Sequence, residues 1–237
     1  MRRAVHPIEA ESYRILRREA ATADLPPYSR DVAERIVHTT ADPGWVADLV
    51  LDEAALAAGA AALAAGAPLV VDVTMVGAGI TRYPSRCLVA SARAAELAAD
   101  QGVTRSAAAV RLAAAESAEG AVWAVGNAPT ALFELLRLAA AGRVVPALVI
   151  GLPVGYVGAA ESKAALRASG LPQLSNVSAR GGSAVAAAAV NALLYGDPVP
   201  DRSRGETARS TSPHPAVSPK PQAGGGTAPQ FPATGPG

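Results

Sequence analysis

The chain has 237 residues and a formal net charge of +1; half of it is hydrophobic, with two phenylalanines and one cysteine. This length suits one α/β domain with some chain to spare. The near-neutral charge excludes the basic surface that nucleic acid selects, lone Cys87 excludes an intramolecular disulfide or a cysteine-rich metal site, and no apolar run reaches the length of a membrane span.

Much of the hydrophobic content is alanine, so the predicted core is helix-rich, closely packed and poor in large side chains. Met1-Arg-Arg is followed by polar and charged residues, so no signal peptide is expected and the default is a soluble cytoplasmic protein.

His6 to Leu16 opens a helix, with Pro7 suited to a first helical position. Ile8, Ser12, Ile15 and Leu16 share a face by spacing. A hydroxyl in that row is accounted for by a serine bonded to its own helix backbone. After Leu25-Pro-Pro, a second helix is predicted from an N-cap at Ser29 through Val37, and Pro43-Gly44 ends it. His38 follows Val37 directly. A histidine at a helix C-terminus is favoured in its cationic form by ~0.3–1 kcal/mol. That explains its position without any function, yet it also suits a proton donor. The three histidines, His6, His38 and His214, are too scattered for a histidine metal site.

Trp45–Leu51 and Glu53–Ala65 read as two further helices. Leu69–Val73 reads as a first strand carrying Asp72, either a buried hydrogen-bonded carboxylate or a functional group at a strand end. Thr74–Arg82 is a glycine-bearing turn without the third glycine of a dinucleotide fingerprint. Arg82 and Arg86 flank it, as solvated surface or as anchors for anionic groups. Cys87–Ala90 reads as a second short strand with an inert core thiol. Helices are predicted over Ala94–Ala99 and Ala107–Glu116. Thr104 or Ser106 caps the latter and leaves Arg105 at its mouth, a geometry that serves a carboxylate site as well as an ordinary cap.

Ala121–Val125 and Ala147–Ile150 are short apolar runs bounded by glycine and proline, which mark buried strands. Each leads through a glycine-bearing turn into a helix, over Ala131–Leu136 and Ala159–Leu166. This repeated pattern predicts a parallel sheet, with ligands beyond the carboxyl ends of its strands. Asn127 and Thr130 suit turn-backbone contacts, and Gly155 and Gly158 suit close backbone approach. Glu161 and Lys163 read as a solvated surface pair. A last unit runs from strand Leu174–Ser178 to helix Ala184–Leu194, capped by Ser183. From residue 196 onward Pro, Gly, Ser and Thr predominate, and that tail is expected to be disordered. The predicted architecture is a three-layer α/β/α domain over residues 1–195, with a mostly parallel sheet of about five strands.

Several segments together resemble the precorrin-8X methylmutase family. They are Ile8-Glu9 with Ser12-Tyr13, Arg35-Ile-Val-His38, Asp72–Val76 with Gly79–Arg82, Thr104–Ala107, Gly126–Thr130, Gly151–Lys163 and Arg180–Ser183. They cover about residues 7–195, and the Gly151–Lys163 string together with Gly126–Thr130 is highly specific. Thr39-Thr40-Ala41-Asp42 departs from the usual family wording.

The resemblance implies a methyl shift from C-11 to C-12 of a corrin-type macrocycle, precorrin-8X or its cobalt form, giving hydrogenobyrinic or cobyrinic acid. It implies no cofactor, no catalytic metal and a homodimer. It assigns His38 as proton donor and acceptor, and Ser12 as a substrate contact. The further candidate substrate contacts are Thr81, Arg82, Arg105, Asn127 and Gly155, with the two arginines suited to substrate carboxylates. The alternatives are a non-catalytic corrinoid carrier, a nucleotide-using α/β protein lacking the required loop, and a structural module whose tail recruits a partner.

Overall fold

The parallel strands β2 (Leu69–Val71), β3 (Val122–Val125), β4 (Leu148–Gly151) and β5 (Gln173–Asn176) lie side by side in chain order in a computed structural model that describes residues 6–196. A fifth strand, β1 (Leu49–Leu51), pairs antiparallel to β5 at the edge, giving the order β1-β5-β4-β3-β2. The expected tail from 196 falls, beyond Gly196, outside the described residues.

Parallel strands placed in sequence with right-handed crossovers send their long crossover helices to one face. On that face lie α6 (Ala92–Gln101), α7 (Arg105–Glu116), α8 (Pro129–Ala140) and α9 (Ala159–Ala168). Side chains from α7, α8 and α9 pack there against Val70, Trp123, Val125 and Val149. The alternate residues Leu69, Val71, Val122, Ala124, Leu148 and Ile150 point the other way, as the two-residue strand period requires. That second face is covered by helices outside the crossovers: α1 (Pro7–Glu19), α2 (Pro27–Thr40) and α4 (Glu53–Ala64) from the start of the chain, and α10 (Ser183–Tyr195) from its end. The result is the expected three-layer α/β/α fold with a mostly parallel five-stranded sheet.

Several local expectations are corrected. Trp45–Leu51 is not one helix: α3 spans only Trp45–Asp48, and Leu49–Leu51 forms β1. The chain leaves the helix because the Asp48 carboxylate accepts the N–H groups of Val177 (3.1 Å) and Ser178 (2.8 Å), which lays the next residues beside β5. Cys87–Ala90 forms no strand; an isolated bridge joins Arg86 to Val70. Thr74–Gly79 is a short helix, α5, rather than a turn. The buried face of α1 is Tyr13 and Leu16, while Ile8 is 74% exposed.

Two predicted caps are also replaced. α2 starts at Pro27, and the N–H groups of Tyr28 and Ser29 donate to Glu53 of α4 at 2.9 and 2.8 Å. Ser183 is the first residue of α10 and caps nothing; Gly182 holds the N-cap position.

The turn after β3 is held in a similar way. Gly126, Asn127 and Ala128 direct their N–H groups to the Asp72 carboxylate at 2.9, 2.9 and 2.8 Å. α8 has no side-chain cap of its own, so Asp72 acts as one from the end of β2. Burial raises the pKa of Asp72, and the bonds from Gly126, Ala128 and Asn127 pull it back. Asp72→Ala leaves three N–H groups without an acceptor and is expected to cost about 2–4 kcal/mol. Urea unfolding measures that loss, and an unchanged midpoint would show that the turn stands without Asp72.

Candidate functional site

α2 and α1 bring two of the expected residues into direct contact. Ser12 Oγ and His38 Nδ1 are 2.8 Å apart, and both residues are half-buried. Ser12 therefore bonds across to α2 rather than to its own helix. The imidazole also stacks on Tyr13, with ring centroids 5.0 Å apart and planes 24° from parallel. Two partners on α1 thus fix both the position and the tilt of the ring.

The electrostatics run against the expectation from the helix dipole. His38 lies within the last turn of α2, and its pKa is lowered from the ordinary value. Burial is the largest cause, Arg35 adds to it, and Glu9 opposes it. Desolvation disfavours the imidazolium more than the helix end favours it.

The remaining expected residues lie elsewhere. Arg105 is the first residue of α7, exposed behind its cap Thr104, which accepts from Ala107 N–H at 3.2 Å. Thr104 Oγ lies 2.8 Å from Thr130 Oγ, which ties the start of α7 to the start of α8. Arg105 and the exposed Asn127 therefore share the rim at the carboxyl ends of the strands, where helix N-termini favour anions. Gly155 follows β4 on the same rim. Its φ of +136° is a conformation open to glycine, and its N–H donates to Ala179 O at 3.3 Å. Thr81 and Arg82 are set apart. Thr81 N–H donates to Asn191 Oδ1 at 3.3 Å, and its carbonyl accepts from Tyr195. Asn191 is eight residues, about 12 Å of helix, beyond Ser183 along α10. No hydrogen bond links any of these five residues to Ser12 or His38 among the described residues.

Lys163, expected on the surface, is fully buried. Its Nζ donates to Arg180 O at 2.6 Å, Asn176 Oδ1 at 2.8 Å and Pro153 O at 3.2 Å. It therefore gathers the loops after β4 and β5 onto one ammonium group. Asn176 in turn donates to Asp48 at 2.8 Å. Close packing completes the joint: a Cβ on Gly181 would lie 2.3 Å from Leu152 O. Arg180 then pairs with Asp42 and covers Trp45, its Cζ 4.4 Å from the ring centroid. These contacts hold the segment after α2, and so the His38 end of the helix, against the carboxyl edge of β5. Helical spacing puts no mark on a buried lysine that its neighbours do not also carry; the only signal was its place in the Gly151–Lys163 string.

A mostly parallel sheet layered between helices, with loops gathered at the carboxyl ends of its strands, is the architecture of an α/β enzyme. The precorrin-8X methylmutase family is the one whose sequence model matches, over residues 7–196, and the chain belongs to it. It is therefore a methylmutase, an isomerase of cobalamin biosynthesis. The precorrin-8X methylmutase of Pseudomonas aeruginosa is 45% identical over 194 residues, 78% of this chain and 93% of that one. The cobalt-precorrin-8 methylmutase of Methanocaldococcus jannaschii is 39% identical over 163 residues, 69% and 77% of the two chains. Among solved structures, the precorrin-8X methylmutase of Thermus thermophilus superposes with a TM-score of 0.71 at 35% identity, covering 79% of this chain and 93% of that one. Among the described residues no helix is long and apolar enough to cross a membrane.

Burial is the main cause that lowers the pKa of Lys163 from 10.5 to about 8; Asp48 opposes the drop and Arg167 adds to it. Between those two values the unfolded chain binds this proton more tightly than the folded one. Stability therefore rises with pH across that window. Urea unfolding at pH 8 and pH 10 is expected to show this rise in the native protein and not in Lys163→Met. Equal slopes would show that Lys163 keeps its ordinary proton affinity when folded.

Proposed function

We propose that this chain moves a methyl group from C-11 to C-12 of precorrin-8X or its cobalt form, with His38 as the acid and base. The observation that carries this reading is the 2.8 Å contact between Ser12 Oγ and His38 Nδ1. With Nδ1–H donating to the serine oxygen, Nε2 is the nitrogen left to face a ligand. In the cationic ring, Nε2–H donates its proton to a nitrogen of the macrocycle. Electron density is then drawn from the migrating centre, the methyl group shifts within the ligand, and the proton returns to Nε2. Atoms and charge balance over the cycle, and Nδ1–H keeps its serine partner throughout. General acid catalysis of this kind contributes ~10²–10⁴-fold, roughly 3–5 kcal/mol of barrier.

The substrate's carboxylates are read as lying on the rim that carries Arg105, Asn127 and Gly155, with Thr81 and Arg82 as outer contacts. The protein is read as a homodimer, supported by the apolar side chains of Tyr156 and Val157, fully and nearly fully exposed beside Gly155. Light scattering that returned a single-chain mass at working concentration would remove the dimer.

A visible-absorption time course with precorrin-8X, and then with its cobalt form, tests the reaction. His38→Ala is expected to slow conversion at least tenfold, and up to ~10⁴-fold, while retaining ligand binding. Equal rates would strip His38 of its role, and binding without turnover by the native protein would favour a corrinoid carrier. Arg105→Ala is expected to raise KM with little change in kcat; an unchanged KM would take Arg105 out of the site.

The pH dependence follows from the lowered pKa of His38. The acid form is scarce in the free enzyme at neutral pH, so kcat/KM is expected to fall as pH rises through a value below 6.5. Bound carboxylates favour the imidazolium, so the corresponding limb of kcat is expected at higher pH. Coincident limbs would show that the bound carboxylates do not act on His38.

A further inference from the structure

Two arginines approach the ring on which His38 stacks, and their charges are answered very differently. Arg17 Cζ lies 5.5 Å from the Tyr13 centroid and Arg35 Cζ lies 5.9 Å from it. Arg17 donates from Nε and Nη2 to Glu34 Oε2 at 2.9 and 2.8 Å, a close ion pair on a buried carboxylate. Arg35 has a weaker counterion: Nη1 is 3.7 Å from Glu9 Oε1, beyond hydrogen-bond length. Its buried Nε makes no hydrogen bond. Arg35 also precedes His38 by three residues on α2, a spacing that puts both on one helix face.

We propose that Arg35 sets the acid strength of His38, its charge acting on the imidazole beside the shared Tyr13 ring and trimmed by Glu9. This rests on the reading of His38 as the proton donor. Arg35 touches no ligand in that reading and is a positioning residue, acting through the group it faces. A nearby cation disfavours a second positive charge, so the imidazolium becomes the stronger acid. That matters because a polycarboxylate ligand pushes the other way: its anions would hold the proton on the histidine after binding. A fixed guanidinium counters that pull and keeps the proton transferable. The lowered pKa of His38, with Arg35 second to burial among its causes and Glu9 opposed, agrees with this arrangement.

The other charged groups around α2 are engaged elsewhere. From α1, Glu9 and Tyr13 face the site, and Arg17 is paired with Glu34 of α2 itself. Asp42, in the segment after α2, is paired with Arg180. From α4, Glu53 holds the opposite end of α2 at Tyr28 and Ser29. From α3, Asp48 is bound to Asn176, Val177 and Ser178. α10 has no titratable side chain before Tyr195, which donates to Thr81. Arg35 and, against it, Glu9 are the charges that act on His38.

The experiment is a proton NMR titration of the imidazole Cε1–H signals in the ligand-free full chain, with the His38 signal assigned by its loss in His38→Ala. In Arg35→Met the His38 midpoint is expected to rise by about half a unit or more, a roughly threefold weaker acid. Arg35→Lys is expected to hold the midpoint close to the native value, because charge rather than shape is what matters. Glu9→Gln is expected to lower it, and this arm remains if Arg35→Met does not fold. A native midpoint in folded Arg35→Met, or in Glu9→Gln, overturns the proposal. So does an Arg35→Lys midpoint displaced as far as that of Arg35→Met, which would assign the effect to packing on Tyr13. Because no macrocycle is present, these outcomes stand apart from those of the conversion assay. Midpoints that move as stated in a protein that converts nothing would sink the reaction and leave the control of the proton intact.

Discussion

A backbone N–H taken out of water must find an acceptor, and around this site the acceptors come from far along the chain. Asp72 at the end of β2 holds the turn after β3. Asp48 holds the turn after β5, and Glu53 of α4 holds the start of α2. Asp72 and Asp48 thus shape two loops at the carboxyl edge from outside those loops, and Glu53 fixes the far end of the histidine-bearing helix. Lys163 makes the complementary joint, one cation collecting the oxygens of two loops.

This arrangement explains how a thin-cored, alanine-rich protein presents a well-placed histidine. α2 packs more extensively on α10 than on any other helix, and α10 begins where the loop after β5 ends. Small side chains let the helices approach closely, as at Gly79, where a Cβ would lie 2.7 Å from that of Ala187. The position of His38 is thus fixed from below by α10, from the side by α1, and at its carboxyl end by Asp42 and Arg180.

The parts of the fold legible in the sequence are those with strong local marks. β3 and β4 are apolar runs bounded by glycine and proline, and each is followed by a helix, so their existence and parallel sense could be read directly. β1 could not, because three residues are too few to show a period and their state is decided by pairing with β5. The same holds for the caps: Ser29 and Ser183 have the right chemistry, but the start of α2 is bound by Glu53 from another helix and Gly182 precedes α10. At the site, spacing placed Ser12 on a helix and His38 at a helix end, and gave no sign that they meet. Their 2.8 Å contact joins residues 26 apart across two helices, and it was the resemblance to a family that singled out both. Lys163 failed for a related reason: a lysine is read as exposed until a set of converging oxygens is seen.

The antiparallel edge has a bearing on how the protein comes into being. Asp48 and its partners Asn176, Val177 and Ser178 are separated by 128 to 130 residues, and the surface on which α2 rests is completed by α10, the last described helix. Local βα units can form as the chain leaves the ribosome, since their contacts are near in sequence. The histidine-bearing helix is made early and must wait for its seat until nearly the whole domain has emerged. The enzyme is thus assembled by chain closure, α1 and α2 brought home by α10.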